Sequence, residues 1–205
     1  MVISKKGLDK PLDDKFYRKT LRPDRQRSYN FLAKFIERGI GEKYGKVKSV
    51  IDYGCGAGWV LYYLFNKYNV KDITGIEPNK EIEGVLDESI KDKILFRSLK
   101  RRMNMGREFD VGVCLEVGEH IEEKYSGLII ENITKNVNVL VFSAAHPGQG
   151  GHGHVNEQPF SFWKEKIEKR DFVFDEDLTM RFKEYLKRKK CKKWYVSNIS
   201  VFKRK

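Results

Sequence analysis

Carboxylates and imidazoles occur close together in one part of this 205-residue chain, after the residues that we expect to form its fourth strand. Glu116, Glu119 and His120 are spaced i, i+3 and i+4, so a single helical turn would direct all three side chains the same way. Two carboxylates with one or two imidazoles suit an octahedral site for Mg²⁺ or Mn²⁺ that leaves positions open for substrate oxygens. The spacing therefore predicts a divalent-metal site.

The histidines extend this candidate site. The chain has four, and all of them follow the predicted fourth and fifth strands: His120, His146, His152 and His154. Because the carboxyl ends of the strands in an open parallel sheet line the ligand crevice, these side chains should lie where the chemistry occurs. We expect Glu119, His120, His146 and His154 to be catalytic, and either His146 or His152 to accept a proton.

Two interpretations without a metal remain open. The two glutamates could simply stabilise the positive end of the helix that follows them, with His120 packed beneath. Alternatively, the histidines could provide a general base that needs no metal.

A second motif, Asp52-x-Gly54-x-Gly56-x-Gly58, predicts a tight turn from a buried strand into a helix over a small ligand. Glycine allows positive φ angles and a close approach of the ligand to the backbone, and the helix start presents free N–H groups. The spacing differs from the G-x-G-x-x-G dinucleotide fingerprint, because its third glycine comes one residue early and a carboxylate precedes its first. We call residues 52–58 the glycine turn.

An acid at the end of the predicted second strand supports a nucleoside ligand. Glu77 follows Gly58 by 19 residues, the position at which nucleoside-binding α/β folds place an acid to accept hydrogen bonds from ribose hydroxyls. A solvated acid at a strand end is the alternative, and the distance from the glycine turn favours ribose binding. The candidate cofactor-binding residues are Asp52, Gly54, Cys55, Gly56, Gly58, Glu77, Pro78 and Leu115.

Alternating strand and helix patterns position both motifs. Besides the run that ends at Asp52, apolar runs predict strands over 72–77, 94–97, 109–115 and 139–143. Helices are expected between them over 59–68, 80–89 and 122–134. Strand, helix, strand implies parallel pairing, and five such repeats suffice for a doubly wound α/β sheet. After an irregular loop over 144–159, we expect helices at 160–169 and 177–190 and strands at 172–174 and 194–202.

We expect one domain over residues 25–205, preceded by an arm of weak structure over residues 1–24. The domain should begin with a helix that Asp24 caps and Gly39 ends. This helix could bring Arg25, Arg27 and Tyr29 to the site, although plain packing is the favoured interpretation.

Composition indicates the charge of a partner and the cellular compartment. The formal net charge of +12 favours an anionic partner or simply a solvated basic surface, and its densest run lies at 187–193. Three cysteines without a C-x-x-C motif indicate a reducing compartment. Because no apolar stretch approaches the length of a membrane span, a soluble, cytoplasmic protein is expected.

The glycine turn resembles motif I of the class I S-adenosylmethionine (SAM) methyltransferases, whose loop holds the amino-acid part of SAM. The resemblance implies a Rossmann-like sheet that is mostly parallel and seven-stranded, with an antiparallel last strand. It also implies SAM as the cofactor.

The carboxylate and histidine pattern resembles that of metal-dependent O-methyltransferases, which include small-RNA 3′-end 2′-O-methyltransferases and the catechol enzymes of ubiquinone synthesis. The similarity comprises Glu-x-x-Glu-His at 116–120, then His154-Val155-Asn156-Glu157 with Phe160 and Trp163. It implies that Mg²⁺ or Mn²⁺ is bound by Glu116, Glu119, His120 and His154. The Pro147–Gly151 stretch is instead similar to small methyltransferases of bacterial and viral glycan gene clusters, including virus-encoded sugar O-methyltransferases.

These resemblances together imply an enzyme that methylates one hydroxyl of a vicinal diol on a sugar, for example a rhamnose-type deoxyhexose. The expected acceptor is a glycan, an oligosaccharide or a nucleotide-linked sugar. An RNA ribose 2′-O-methyltransferase is the alternative, and an inactive SAM-fold binding protein is the second.

Overall fold

The structure, a computed structural model, describes residues 19–205, so most of the predicted arm lies outside the described residues. Within them, seven strands form one sheet in the order β3-β2-β1-β4-β5-β7-β6. The strands are β1 (Ser49–Tyr53), β2 (Asp72–Glu77), β3 (Ile94–Phe96), β4 (Phe109–Leu115), β5 (Val137–Ser143), β6 (Phe172–Phe174) and β7 (Ser200–Arg204). β1 to β5 pair in parallel, and β7 runs antiparallel to both β5 and β6. This confirms the predicted fold class.

Helices connect the strands and cover the sheet. The α-helices of the described range are α1 (Pro23–Lys34), α2 (Ile40–Tyr44), α3 (Trp59–Asn66), α4 (Ser126–Lys135), α5 (Phe160–Glu168), α6 (Glu176–Arg188) and α7 (Lys193–Asn198). Short 3₁₀ turns lie at Lys80–Val85, Lys91–Lys93, Gly118–His120 and Glu123–Tyr125. None of the helices in residues 19–205 combines the length and hydrophobicity that a membrane crossing requires.

Both faces of the sheet are buried, as a doubly wound fold requires. In β1, Val50 belongs to the core cluster that includes residues of α1, α3 and α6, whereas Ile51 and Tyr53 belong to the cluster of α4 and α5. The chain continues from β1 toward β2 on one side and from β4 toward β5 on the other. The carboxyl ends of β1 and β4 therefore border the crevice at which such sheets bind ligands.

The amino-terminal helix differs from its prediction at Gly39, which does not end it. A π-helical turn, Phe35–Gly39, joins α1 directly to α2, and the helical run ends at Gly45 with φ +94°. A Cβ atom at Gly39 would lie 2.7 Å from the Phe35 ring. The glycine therefore makes room for an aromatic side chain and does not act as a stop signal.

The predicted final strand over 194–202 was wrong in its first half, where α7 occupies Lys193–Asn198 and β7 begins only at Ser200. A short run of apolar and aromatic residues fits either element by periodicity alone. Packing decides it: the Tyr195 ring meets Tyr29 of α1 edge to face, with centroids 6.4 Å apart. The helix predicted over 80–89 is likewise only the 3₁₀ turn Lys80–Val85.

One aromatic pair tests the packing of the amino-terminal helical run against α6. Phe182 of α6 is fully buried and stacks on Phe35 with ring centroids 4.0 Å apart. We expect Phe182→Ala to lower the free energy of unfolding in urea by about 3–5 kcal/mol, since it leaves a cavity. Met180→Ala, on the same helix but 53% exposed, is the control and should change it by less than about 0.5 kcal/mol. Equal effects of the two variants would contradict the packing described.

Candidate active site

A cavity of about 770 Å³ opens at the carboxyl edge of the sheet, between β1 and β4. The glycine turn, the end of β2, residues 115–122 and residues 149–155 form its walls, and residues of α1 and α7 complete its rim. The volume is in the range of pockets that hold a small organic cofactor together with part of a second ligand.

The glycine turn is held in a conformation that most residues avoid. Gly54, Gly56 and Gly58 have φ angles of 74°, 53° and 70°, in the left-handed region that favours glycine. At Gly54 a Cβ atom would also lie 2.5 Å from Val117. All three positions therefore favour glycine for their conformation, and Gly54 requires it for space as well.

Glu77 fixes this turn as well as facing the cavity. Its Oε2 accepts a hydrogen bond from the Gly56 amide at 3.0 Å, and its Oε1 accepts one from the Asn79 amide at 2.9 Å. The Gly54 and Cys55 amides donate to the Ile76 carbonyl at 2.7 and 3.1 Å. Hydrogen bonds to the end of β2 thus hold the glycine turn in its conformation.

Seven of the eight predicted cofactor-binding residues line the cavity: Asp52, Gly54, Cys55, Gly56, Glu77, Pro78 and Leu115. Gly58 is not among the lining residues. It precedes α3, and a Cβ atom there would lie 2.7 Å from the Ile90 side chain. Gly58 therefore contributes to the turn by packing against Ile90 and not by facing the cavity.

The floor of the cavity favours a cationic ligand. Asp52 is 5% exposed, and burial, with the nearby charge of Glu77, raises its pKa to about 8. Burial also raises the pKa of the Cys55 thiol well above its ordinary value. A positive group bound here would relieve the cost of ionising the carboxyl group.

On the opposite wall, Glu119, His120 and His154 each offer a ligand atom, and these atoms lie within 4.8 Å of one another. We call these three residues the triad. Glu119 is fully buried, and neither of its carboxylate oxygens has a hydrogen-bond partner among residues 19–205. Burial and the nearby charge of Glu116 raise its pKa to about 8, although neighbouring backbone amides act in the opposite direction.

Both imidazoles of the triad direct Nδ1 toward an oxygen of the protein. His120 Nδ1 lies 3.2 Å from the Gly153 carbonyl oxygen, and His154 Nδ1 lies 2.7 Å from Glu157 Oε1. Because these oxygens can only accept, each Nδ1 carries a proton, and in the neutral ring the lone pair then lies on Nε2. Burial lowers the pKa of His120, which favours this neutral form.

Glu116 does not join the triad, contrary to the prediction that one helical turn aligns it with Glu119 and His120. Its φ of 55° turns the backbone at the end of β4, so the 3₁₀ turn begins only at Gly118. Both carboxylate oxygens of Glu116 accept hydrogen bonds from Asn198 Nδ2, at 3.1 and 3.2 Å. Glu116 nevertheless lines the cavity.

The remaining predicted residues are divided. His152 lines the cavity, whereas His146 is not among the lining residues. At the rim, Arg25 and Tyr29 of α1 line the cavity, while Arg27 is exposed and does not. Arg25 lies 5.4 Å from the centre of the Trp194 ring, and Lys192 lies 5.5 Å from it. Arg25 and Trp194 therefore meet at the rim, and Lys192, which is paired with Asp24, lies next to them.

Sequence patterns missed the polar residues that support the triad. The Val155 and Asn156 amides donate to the Glu119 carbonyl at 2.8 and 3.1 Å. The buried Asn156 side chain donates to the Gly118 carbonyl and to Ser126 Oγ at 3.3 and 3.2 Å. Neither Asn156 nor Asn198 belongs to a spacing that signals a site, and Asn198 lies in the helix that was predicted as a strand.

Comparison with known proteins decides the family. The family model described as a methyltransferase domain matches residues 22–172, which is more than half of the chain. The chain belongs to this methyltransferase family. With this fold and this cavity, it is a SAM-dependent methyltransferase. None of the curated proteins compared with the methyltransferase matches it significantly.

Several solved structures share the fold of the methyltransferase. The sugar N-methyltransferase KedS8 from a Streptoalloteichus species has a TM-score of 0.71 at 12% identity, covering 100% of this chain and 97% of that one. CalS10, an amino pentose methyltransferase from Micromonospora echinaspora, has a TM-score of 0.67 at 11% identity, covering 94% and 96%. The small RNA methyltransferase HEN1 has a TM-score of 0.62 at 17% identity, covering 85% of this chain and 25% of that one.

The raised pKa of Asp52 gives a pH dependence whose sign can be worked out. Below pH 8 the empty site holds a proton on Asp52, and binding of the positively charged SAM must expel it. We expect the affinity for SAM, measured by calorimetry, to rise between pH 6 and 8 in the wild-type protein.

Asp52→Asn is the matched variant, because it keeps the shape and removes the titration. Its affinity for SAM should be weaker and nearly independent of pH over the same range. An unchanged pH dependence in Asp52→Asn would show that another group carries the proton.

Proposed function

We propose that this methyltransferase transfers the methyl group of SAM to a hydroxyl of a vicinal diol on a sugar of a glycan. We propose further that the triad binds a divalent cation, Mg²⁺ or Mn²⁺, which organises the diol. The observation that carries this proposal is the buried carboxylate of Glu119, unpaired among residues 19–205 and adjacent to two imidazoles whose Nδ1 atoms face oxygens of the protein, which leaves Nε2 of each neutral ring to bind an ion.

The residues present fit such a cation. An ionised carboxylate without a partner is costly to bury, and a bound cation offsets that cost. Space is provided at Gly151, because a Cβ atom there would lie only 2.3 Å from His154 Nε2. Glu119, His120 and His154 would hold the ion, and Glu116 is a fourth candidate if its carboxylate leaves Asn198.

The two walls of the cavity would have different roles in catalysis. When bound, a divalent cation lowers the pKa of a coordinated hydroxyl and holds a neighbouring oxygen beside it. The glycine turn and Glu77 hold the cofactor, so that catalysis depends largely on aligning the acceptor oxygen with the methyl carbon and sulfur. Of the two predicted proton acceptors, His152 has the better position, since it lines the cavity and His146 does not.

The choice of a sugar hydroxyl rests on two supports. KedS8 and CalS10, which share this fold, are by name a sugar and an amino pentose methyltransferase. The name of KedS8 specifies transfer to nitrogen, whereas the triad of this chain favours oxygen, because a hard cation binds hydroxyl oxygens and repels an ammonium group.

RNA is the second candidate acceptor, favoured by the rim. Arg25 and Lys192 lie beside the half-buried Trp194 ring, and cations next to an aromatic ring suit phosphates and bases. The small RNA methyltransferase HEN1 also shares the fold.

A substrate panel tests the acceptor and the metal together. We expect S-adenosylhomocysteine release with rhamnosides or other diol-bearing glycosides, its loss in EDTA, and its recovery with Mg²⁺ or Mn²⁺. Amino sugars and short RNAs complete the panel. Full activity in EDTA would remove the metal from the mechanism, and transfer to amino sugars alone would make the protein an N-methyltransferase.

The salt dependence of acceptor binding separates glycan from RNA. An RNA held through several phosphates should lose affinity steeply between 50 and 200 mM salt, by about 10³-fold or more for six contacts. A neutral glycan should show almost none of this loss. A steep loss measured with the active acceptor would therefore favour RNA.

Gly151→Ala tests the metal position without removing a ligand. The added methyl group would occupy the space in front of His154 Nε2, so we expect the affinity for Mn²⁺, measured by calorimetry, to fall at least about tenfold. The affinity for SAM should stay within about twofold, since the glycine turn is on the other wall.

Gly127→Ala is the matched control, because a Cβ atom at this helical glycine meets nothing within 4 Å. It should bind Mn²⁺ as the wild-type protein does. Wild-type affinity for Mn²⁺ in Gly151→Ala would place the ion elsewhere.

A further inference from the structure

The Glu157 carboxylate binds both an imidazole of the triad and the backbone of the Pro147–Gly151 loop. Its Oε1 accepts hydrogen bonds from His154 Nδ1–H and from the Gly150 amide, both at 2.7 Å. Its Oε2 accepts one from the Gly148 amide at 2.9 Å. One carboxylate thus orients an imidazole of the triad and fixes the backbone of the Pro147–Gly151 loop.

The same loop forms part of the cavity wall. Gln149, Gly150 and Gly151 line the cavity, and Gln149 Oε1 accepts a hydrogen bond from Asn198 Nδ2 at 3.0 Å. The loop therefore contacts two residues: Asn198, which also binds the Glu116 carboxylate, and Glu157, which also binds His154. A movement of Asn198 or of Glu157 would shift the loop, and with it the wall that an acceptor would contact.

We propose that Glu157 couples metal binding at His154 to the ordering of the Pro147–Gly151 loop, so that the cation prepares the acceptor-binding wall before the acceptor arrives. This inference rests on the proposed metal site. It makes Glu157 a positioning residue, which acts through His154 and the loop amides.

The physical basis is the polarisation of an imidazole. A cation on Nε2 withdraws electron density from the ring, so that Nδ1–H becomes a stronger donor to Glu157. The carboxylate is then held more firmly, and its hydrogen bonds to Gly148 and Gly150 are held with it. Since coupling is reciprocal, an ordered loop strengthens metal binding by the same factor.

The coupling has a consequence for the acceptor. A loop that is already ordered loses less conformational entropy when a ligand docks on it, so the acceptor binds more tightly. Coupling between sites typically amounts to about 5–150-fold. The kinetic signature of losing it would be a raised KM for the acceptor, with a smaller change in kcat at saturating metal.

Hydrogen exchange of the loop, with no acceptor present, tests the coupling directly. We would measure exchange in residues 146–153 by mass spectrometry, in the S-adenosylhomocysteine complex, with and without saturating Mn²⁺. In the wild-type protein Mn²⁺ should slow exchange in this segment at least about fivefold. In Glu157→Ala, Mn²⁺ should still bind at higher concentration and leave exchange in the segment unchanged.

Glu165→Ala is the matched control, since Glu165 is an exposed residue of α5 paired with Lys169. It should behave as the wild-type protein does. If calorimetry shows Mn²⁺ bound while loop exchange stays unchanged in the wild-type protein, the coupling is wrong and the proposed function stands. Equal protection in Glu157→Ala also overturns the coupling, and a wild-type protein that binds no Mn²⁺ overturns both proposals.

Discussion

The buried Glu119 carboxylate has no hydrogen-bond partner among residues 19–205, which costs free energy, and much of the surrounding structure holds this residue in place. Its own carbonyl accepts two amides from the following loop, and Asn156 binds the preceding Gly118 carbonyl. The Trp163 ring packs so closely on Gly118 that a Cβ atom there would lie 2.8 Å from it. Such support for an unsatisfied acid is typical of sites where stability is given up for binding or chemistry.

The two walls of the cavity follow different physical rules. The wall that contains the glycine turn depends on backbone geometry: hydrogen bonds to Glu77 and to the Ile76 carbonyl hold glycines with positive φ angles against the end of β2. The opposite wall depends on side-chain chemistry and lies on loops after β4 and β5. Since β1 and β4 are paired neighbours, the sheet fixes the distance between the walls. A cofactor and an acceptor bound on opposite walls would therefore meet over the same strand ends.

Periodicity and motif spacing predicted the sheet, the glycine turn and most residues that line the cavity beside that turn, because these depend on local pattern and on chain order. The triad was only partly predictable. Spacing alone placed Glu116 in one helical turn with Glu119 and His120, but the backbone is left-handed at Glu116, and no sequence rule indicates that conformation in a glutamate. Asn198 was invisible as a support residue, because its contacts with Glu116 and Gln149 form only after distant parts of the chain have packed. Glu157 stood in a motif next to His154, but spacing alone did not indicate its hydrogen bonds to the Gly148 and Gly150 amides.

The match to the family ends at residue 172, yet Trp194, Tyr195 and Asn198 lie beyond it and belong to the rim or contact Glu116. The matched part of the chain thus contains the glycine turn and the triad, while the last segment forms one side of the cavity rim. The residues at that side of the rim therefore lie outside the part of the chain that defines the family.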